Sequence, residues 1–299
     1  MSKTENNILL FSITLCWAAT YIFIKSLPSA LSTYAYLTMT CGIAAGLLSL
    51  IFFKKLKGIK LSTVWKSAVL AVLLLLNLYF DKLGIDRLSS STASVLASTS
   101  IIIVPVVLLL MRRKPSANNM IGAVVIMVGI VITSGFNAEN IFSLGSLFML
   151  LSAVITSIYT IAADKISKEE DPLLLSVLQM WGTAILGFVM WFIEEPKTFA
   201  ALEYTNEMLS SIFILAFFGK AYAYVALMYS QKYSNPINVT IIASTEPIVT
   251  LVLAVLIPSV FEEEFTAAAI FGASVIMVGA IISGTDFLSR IGRRKHEIK

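Results

Sequence analysis

Two ionisable residues stand where ionisable residues are expensive. Lys220 falls near the middle of an apolar run at about 208–230, and Glu246 near the middle of another at about 237–258. A charge at the centre of a membrane-spanning helix costs roughly 2.5–3.5 kcal/mol on insertion scales, so such residues face the bundle interior and mark a pathway. A lysine can hold a carboxylate, and a glutamate can hold an amine or a proton. The same two residues can also do no more than tie their helices together as a buried ion pair. Helical spacing places Phe217, Ala223 and Tyr224 on the face of Lys220, and Ile242, Ala243, Val249 and Thr250 on the face of Glu246. Pro247 lacks an N–H and crowds the preceding turn, which predicts a kink or hinge beside Glu246 and freed carbonyls.

Polar and aromatic residues within other runs extend the candidate set: Trp17 and Tyr21, Asn77, Thr99 and Ser100, Gln179 and Trp181. Each serves equally well as a helix–helix hydrogen bond or as lipid-facing bulk. Together with a lysine and a glutamate they suit an amphipathic solute bearing an amine or a carboxylate, because aromatic faces hold cations. An amino acid carries both groups. Other chemistries lack their residues. The one histidine, His296, lies in a basic tail, and the two cysteines, Cys16 and Cys41, sit inside apolar runs. No metal-ligand spacing, catalytic triad or nucleotide-binding Gly-x4-Gly-Lys-Ser/Thr loop is present, so no cofactor and no catalytic residue are expected.

These residues need membrane helices to position them. The 299-residue chain is 58% hydrophobic and 13% charged, with a mean hydropathy of +0.87. Soluble chains carry about 45–50% apolar and about 25% charged residues. Ten apolar runs can be drawn, at about 8–27, 33–53, 64–82, 90–111, 117–134, 144–163, 172–193, 208–230, 237–258 and 266–286. They lack two-residue alternation and are too long for barrel strands. With ten spans, seventeen lysines and arginines fall on the side of the N-terminus and four on the other, with Lys220 inside a span. The basic excess predicts that both termini are cytoplasmic. The expected surroundings are a cell-membrane bilayer and the expected partner a small solute. A net charge of +4 spread over loops and tail does not suggest nucleic acid. The reading leaves room for a homodimer.

The two halves resemble each other. Leu96-Ala97-Ser98-Thr99-Ser100-Ile101 matches Ile242-Ala243-Ser244-Thr245-Glu246-Pro247 at an offset of 146. The string from Ile121 to Gly129 matches that from Phe271 to Gly279 at 150, and Lys25/Lys165 and Gly42/Gly182 match at 140. By the offset of 146 Lys220 corresponds to Leu74 and Glu246 to Ser100, so one copy does without both charges. Five spans per copy turn the second upside down, a construction that recurs in secondary transporters, with the binding site near the midplane. The expected division is 1–137, 138–289 and a basic tail 290–299. Small residues, Gly42, Ala45 and Gly46 and the glycines of runs 5 and 10, predict close helix packing.

These features resemble the ten-helix EamA-type members of the drug/metabolite transporter superfamily. The resemblance spans the chain and rests on the tandem halves, Trp17 with Lys25, Ala226-Leu227-Met228-Tyr229, Glu246-Pro247, and the Gly122/Gly129 and Gly272/Gly279 pairs. The first half departs from the pattern, with Ser100-Ile101 in place of Glu-Pro and Arg112-Arg113-Lys114 in place of an acidic residue. The resemblance implies a secondary transporter that exports amino acids or related metabolites by alternating access, and no enzyme. Exporters of drugs, cations, nucleotides or sugars are the alternative, with a channel or an intramembrane enzyme further off.

Overall fold

Leu, Ile, Val and Ala runs of about 20 residues satisfy their backbone polar groups internally only as helices when water is absent, and the fold is all-helical. The structure, a computed structural model, describes residues 1–25, 27–28, 31–88, 90–113, 115–133, 143–198, 204–256 and 266–284. The helices are α1 (Lys3–Lys25), α2 (Thr33–Ile51), α3 (Leu61–Ile85), α4 (Ser90–Ala97 and Ser100–Leu110), α5 (Ala117–Thr133), α6 (Leu144–Glu169), α7 (Pro172–Glu194), α8 (Asn206–Tyr233), α9 (Pro236–Ala243 and Glu246–Leu256) and α10 (Ala267–Gly284). Side-chain caps fix several starts: Ser32, Ser143, Asp171, Thr205 and Asn235 each accept a bond from an N–H of the first turn, and Pro172 and Pro236 follow two of them.

Among the described residues eight of these helices are long and apolar enough to cross a membrane. In α5 and α10 the apolar stretches, Ala117–Ile132 and Ile270–Ser283, are shorter than the roughly 20 residues a span needs. Outward faces carry large apolar side chains such as Leu110, Phe192 and Ile281. Buried hydroxyls turn back onto their own helices, as Thr40 does to the Tyr36 carbonyl (2.7 Å) and Ser157 to that of Ala153 (2.7 Å).

Helix pairing obeys the repeat. α5 packs on α10, α2 on α7, and α4 on α9; α3 packs on α6 as α8 does on α1, and α3 on α7 as α8 does on α2. The α5–α10 contact shows the relation most plainly. A Cβ on Gly122 would meet Ser283 Cβ at 2.5 Å and the Gly279 carbonyl at 2.7 Å; one on Gly129 would meet the Ile276 nitrogen at 2.7 Å and the Gly272 carbonyl at 2.8 Å. The start of one helix therefore lies against the end of the other, so matched helices run antiparallel about a pseudo-two-fold axis. The glycines of α5 and α10 serve the close packing expected of them. Gly46 does not, since nothing lies within 4 Å of a Cβ placed there.

Polar clasps join the halves at the end of the bundle where α1 begins. Asn6 accepts from Ser230 (2.7 Å), and Asn238 donates to Asn7 (3.2 Å). Lys55 pairs with Asp171 (2.6 Å), and Lys66 with Glu169 (3.0 Å) and Glu170 (2.7 Å). Bonds from Lys66 and Thr63 hold the Glu170 carboxyl down to about 2.

Several expectations need correction. α3 runs on to Ile85, so Asp81 and Lys82 lie inside the helix rather than at its end. α6 runs past Lys165 to Glu169. Residues 134–142, 257–265 and 285–299 lie outside the described set, and with them the boundary at 137/138, the Glu262–Glu264 loop and the basic tail.

Candidate functional site

Helices α4 and α9 break at matching places. The turn residues are Ser98-Thr99 in α4 and Ser244-Thr245 in α9, related by the offset of 146. Ser98 bonds the Ser94 carbonyl (2.9 Å) and Ser244 that of Thr240 (2.6 Å); Thr99 bonds the Leu96 carbonyl and Thr245 that of Ile242, both at 2.7 Å. The backbone tightens at the same places: the N–H groups of Thr99 and Thr245 bond the carbonyls three residues back, Leu96 (3.1 Å) and Ile242 (3.0 Å), where an α-helix bonds four back. α4 breaks with Ile101 where α9 has Pro247, so the break does not need a proline at that position; Pro247 lies just beyond it, at the start of the second segment, and Pro105 lies inside the second segment of α4.

The breaks flank a cavity of about 110 Å³ between the halves. Five pairs of its wall residues are related by the repeat: Thr20 and Thr160, Leu78 and Tyr224, Asp81 and Leu227, Ala97 and Ala243, Ser100 and Glu246. The cavity therefore straddles the pseudo-two-fold axis, and its charges break the symmetry.

Lys220 is 6% exposed and lies in a stretch of α8, Leu215–Tyr222, with π-helical bonding. Such widened turns occur frequently at functional sites. Gly219 lets this turn approach α1, since a Cβ there would come within 2.7 Å of Thr20 Cγ2. The Lys220 ammonium lies over the rings of Tyr36 (5.7 Å) and Tyr224 (5.9 Å). Phe217 does not share this face: it stacks on Phe213 and is half-exposed, because the i→i+5 turn carries the residue three earlier out of line with Lys220. Glu246, 7% exposed, lies beside Tyr21. No ion pair joins Lys220 to Glu246 among the described residues.

Asp81 is the charged residue the sequence did not single out. It lines the cavity from α3, beside Ser152 of α6. Asn77, one turn earlier, donates to Ser152 Oγ (2.8 Å) and to Thr156, so one polar chain ties α3 to α6. Its neighbour Lys82 turns away and pairs with Asp86 (2.6 Å). The signal in the sequence was the i,i+4 spacing of Asn77 and Asp81 on an otherwise apolar face.

The structure thus brings together Trp17, Tyr21, Asn77, Ser100, Lys220, Tyr224 and Glu246 around one cavity. Trp17 and Tyr159 both pack on Tyr224, with centroids 5.9 and 6.2 Å apart. Gln179 stands behind this wall, accepting from Tyr159 (2.9 Å). Trp181 is elsewhere: it is 42% exposed on the outer face and donates to Ser49 (2.9 Å). Two positions after Gln179, about 200° round the helix, it faces away from the bundle.

A model described as the EamA-like transporter family matches the chain twice, over residues 6–135 and 143–285. Among the solved structures that match, one titled "Crystal structure of protein" is 17% identical, with a TM-score of 0.75, covering 97% of this chain and 100% of that one. It is similar in fold. No curated protein matches.

Proposed function

The chain belongs to the EamA-like transporter family, within the drug/metabolite transporter superfamily, and from that premise we propose a multi-pass secondary transporter that exports amino acids or related small metabolites across the cell membrane by alternating access. The observation that carries this reading is the cavity shared by the two halves, walled by matched residues and holding Lys220 and Glu246 without an ion pair between them. A solute carboxylate fits opposite Lys220. A solute amine fits Glu246, with Trp17 and Tyr21 as its aromatic wall. The size favours a metabolite over a drug: about 110 Å³ is room for several waters, well below the roughly 300 Å³ at which pockets for drug-sized ligands begin.

In this reading each copy contributes five spans, α5 and α10 included, and both termini are cytoplasmic. The Lys55, Lys66 and Asn6 clasps then seal the cytoplasmic end of the pathway, and must open for solute to enter from inside. The paired breaks of α4 and α9, with Pro247 limiting the second, are where the halves of those helices re-angle. The test is counterflow. Liposomes holding the purified chain and preloaded with unlabelled amino acid are expected to accumulate external labelled amino acid transiently and saturably. Flux that rises linearly with concentration and shows no counterflow contradicts a carrier.

A further inference from the structure

The acidic and basic groups of the cavity are not equal in number. Lys220 supplies one ammonium, and Asp81 and Glu246 supply two carboxylates. Among the described residues no ion pair within 4.0 Å includes any of the three. The nearest groups to the carboxylates include the neutral hydroxyls of Ser152 and Tyr21, Lys220 and Asp81 act on each other beyond ion-pair distance, and the ammonium lies over two tyrosine rings. Lys82 also lies near the Tyr36 ring (5.9 Å), but with Asp86 it forms a neutral pair. That leaves one basic and two acidic groups for a solute to complete.

Buried charges are tolerated when paired and penalised when not. The solute that pairs all three groups carries one carboxylate and two amines. Resting on the transport reading above, we infer that this site selects a cationic diamino acid of the lysine or ornithine type, its carboxylate on Lys220 and its two ammonium groups on Asp81 and Glu246. A neutral amino acid leaves one carboxylate unpaired, and a diamine without a carboxylate leaves Lys220 unpaired. The two carboxylates come from different halves and from positions that are not equivalent, Asp81 matching Leu227 and Glu246 matching Ser100. A two-ended solute is thus gripped in one orientation.

The test compares near-isosteres in counterflow by the purified full chain: lysine against norleucine, ornithine against norvaline, and lysine against 1,5-diaminopentane. The expected preference is at least tenfold for the diamino acid in each pair. Asp81→Asn is expected to shift that preference toward norleucine and norvaline, with wild-type thermal stability as the check on folding. Saturable counterflow that treats lysine and norleucine alike, or prefers norleucine, overturns this inference and leaves the carrier reading intact. An undiminished lysine preference in Asp81→Asn overturns the role of Asp81. Counterflow with none of these solutes overturns both the inference and the amino-acid reading.

Discussion

Lys220→Met is expected to fold about as well as the wild type and to bind amino acid at least about 30-fold more weakly. The two halves of that expectation follow from the same geometry. In the unliganded protein the ammonium is buried without an ion pair. Its contacts with Tyr36 and Tyr224 are cation–π contacts, worth about 2 kcal/mol when desolvated. Placing a charge at mid-membrane costs roughly 2.5–3.5 kcal/mol, so methionine, of similar volume, removes a cost and a gain of comparable size. Once solute is bound, the lysine is one partner of a desolvated charge pair, and truncating such a partner costs about 2–5 kcal/mol. At 1.4 kcal/mol per factor of ten, that is about 30-fold or more in affinity. Thermal unfolding with and without amino acid measures both. A large loss of stability assigns Lys220 a structural role instead.

Gly279→Val is expected to be among the most damaging apolar substitutions in the chain. Its Cβ would lie 2.7 Å from Ile126 Cγ1, 2.8 Å from the Ile126 nitrogen and 2.9 Å from the Gly122 carbonyl. Two of these are backbone atoms of the facing helix, which cannot rotate aside. The helices must separate, and overpacking of this kind costs about 1–3 kcal/mol or more. Gly129, its counterpart in α5, meets the backbone of α10 in the same way, so Gly129→Val is expected to cost a similar amount. Gly46→Ala has open space and is expected to be neutral. SDS unfolding of the three variants checks the ordering. Equal tolerance of all three contradicts the interlocked α5–α10 contact.

What the sequence revealed of the fold was what local rules control. α7 starts where Asp171 and Pro172 cap it, and α1 ends at Lys25, close to the boundaries that composition suggests. The Ser-Thr match between the halves was legible as a repeat. That it marks two helix breaks was not, because Ser and Thr also sit quietly in intact membrane helices, as Thr40 does. Of the site, Lys220 and Glu246 stood out because nothing else explains a charge so far from an end. Asp81 was hidden by Lys82: adjacent opposite charges look like the end of a span, and only the packed helix shows one facing the cavity and the other turning to Asp86. Trp181 and Phe217 failed for a different reason. Hydropathy says that a residue is apolar but not which way it faces, and the π-helical turn at Lys220 changes the angular register in a way that no residue pattern records.

The central claim is that the cavity between the inverted halves is the transport path, reached in turn from each side. Ser100→Cys places one thiol on its wall, in a chain whose Cys16 and Cys41 are replaced by serine. Oriented vesicles treated with a membrane-impermeant thiol reagent provide the measurement. The account predicts labelling from both faces of the membrane, slowed from both by amino acid. Labelling from neither face, or at a rate that amino acid does not change, contradicts it.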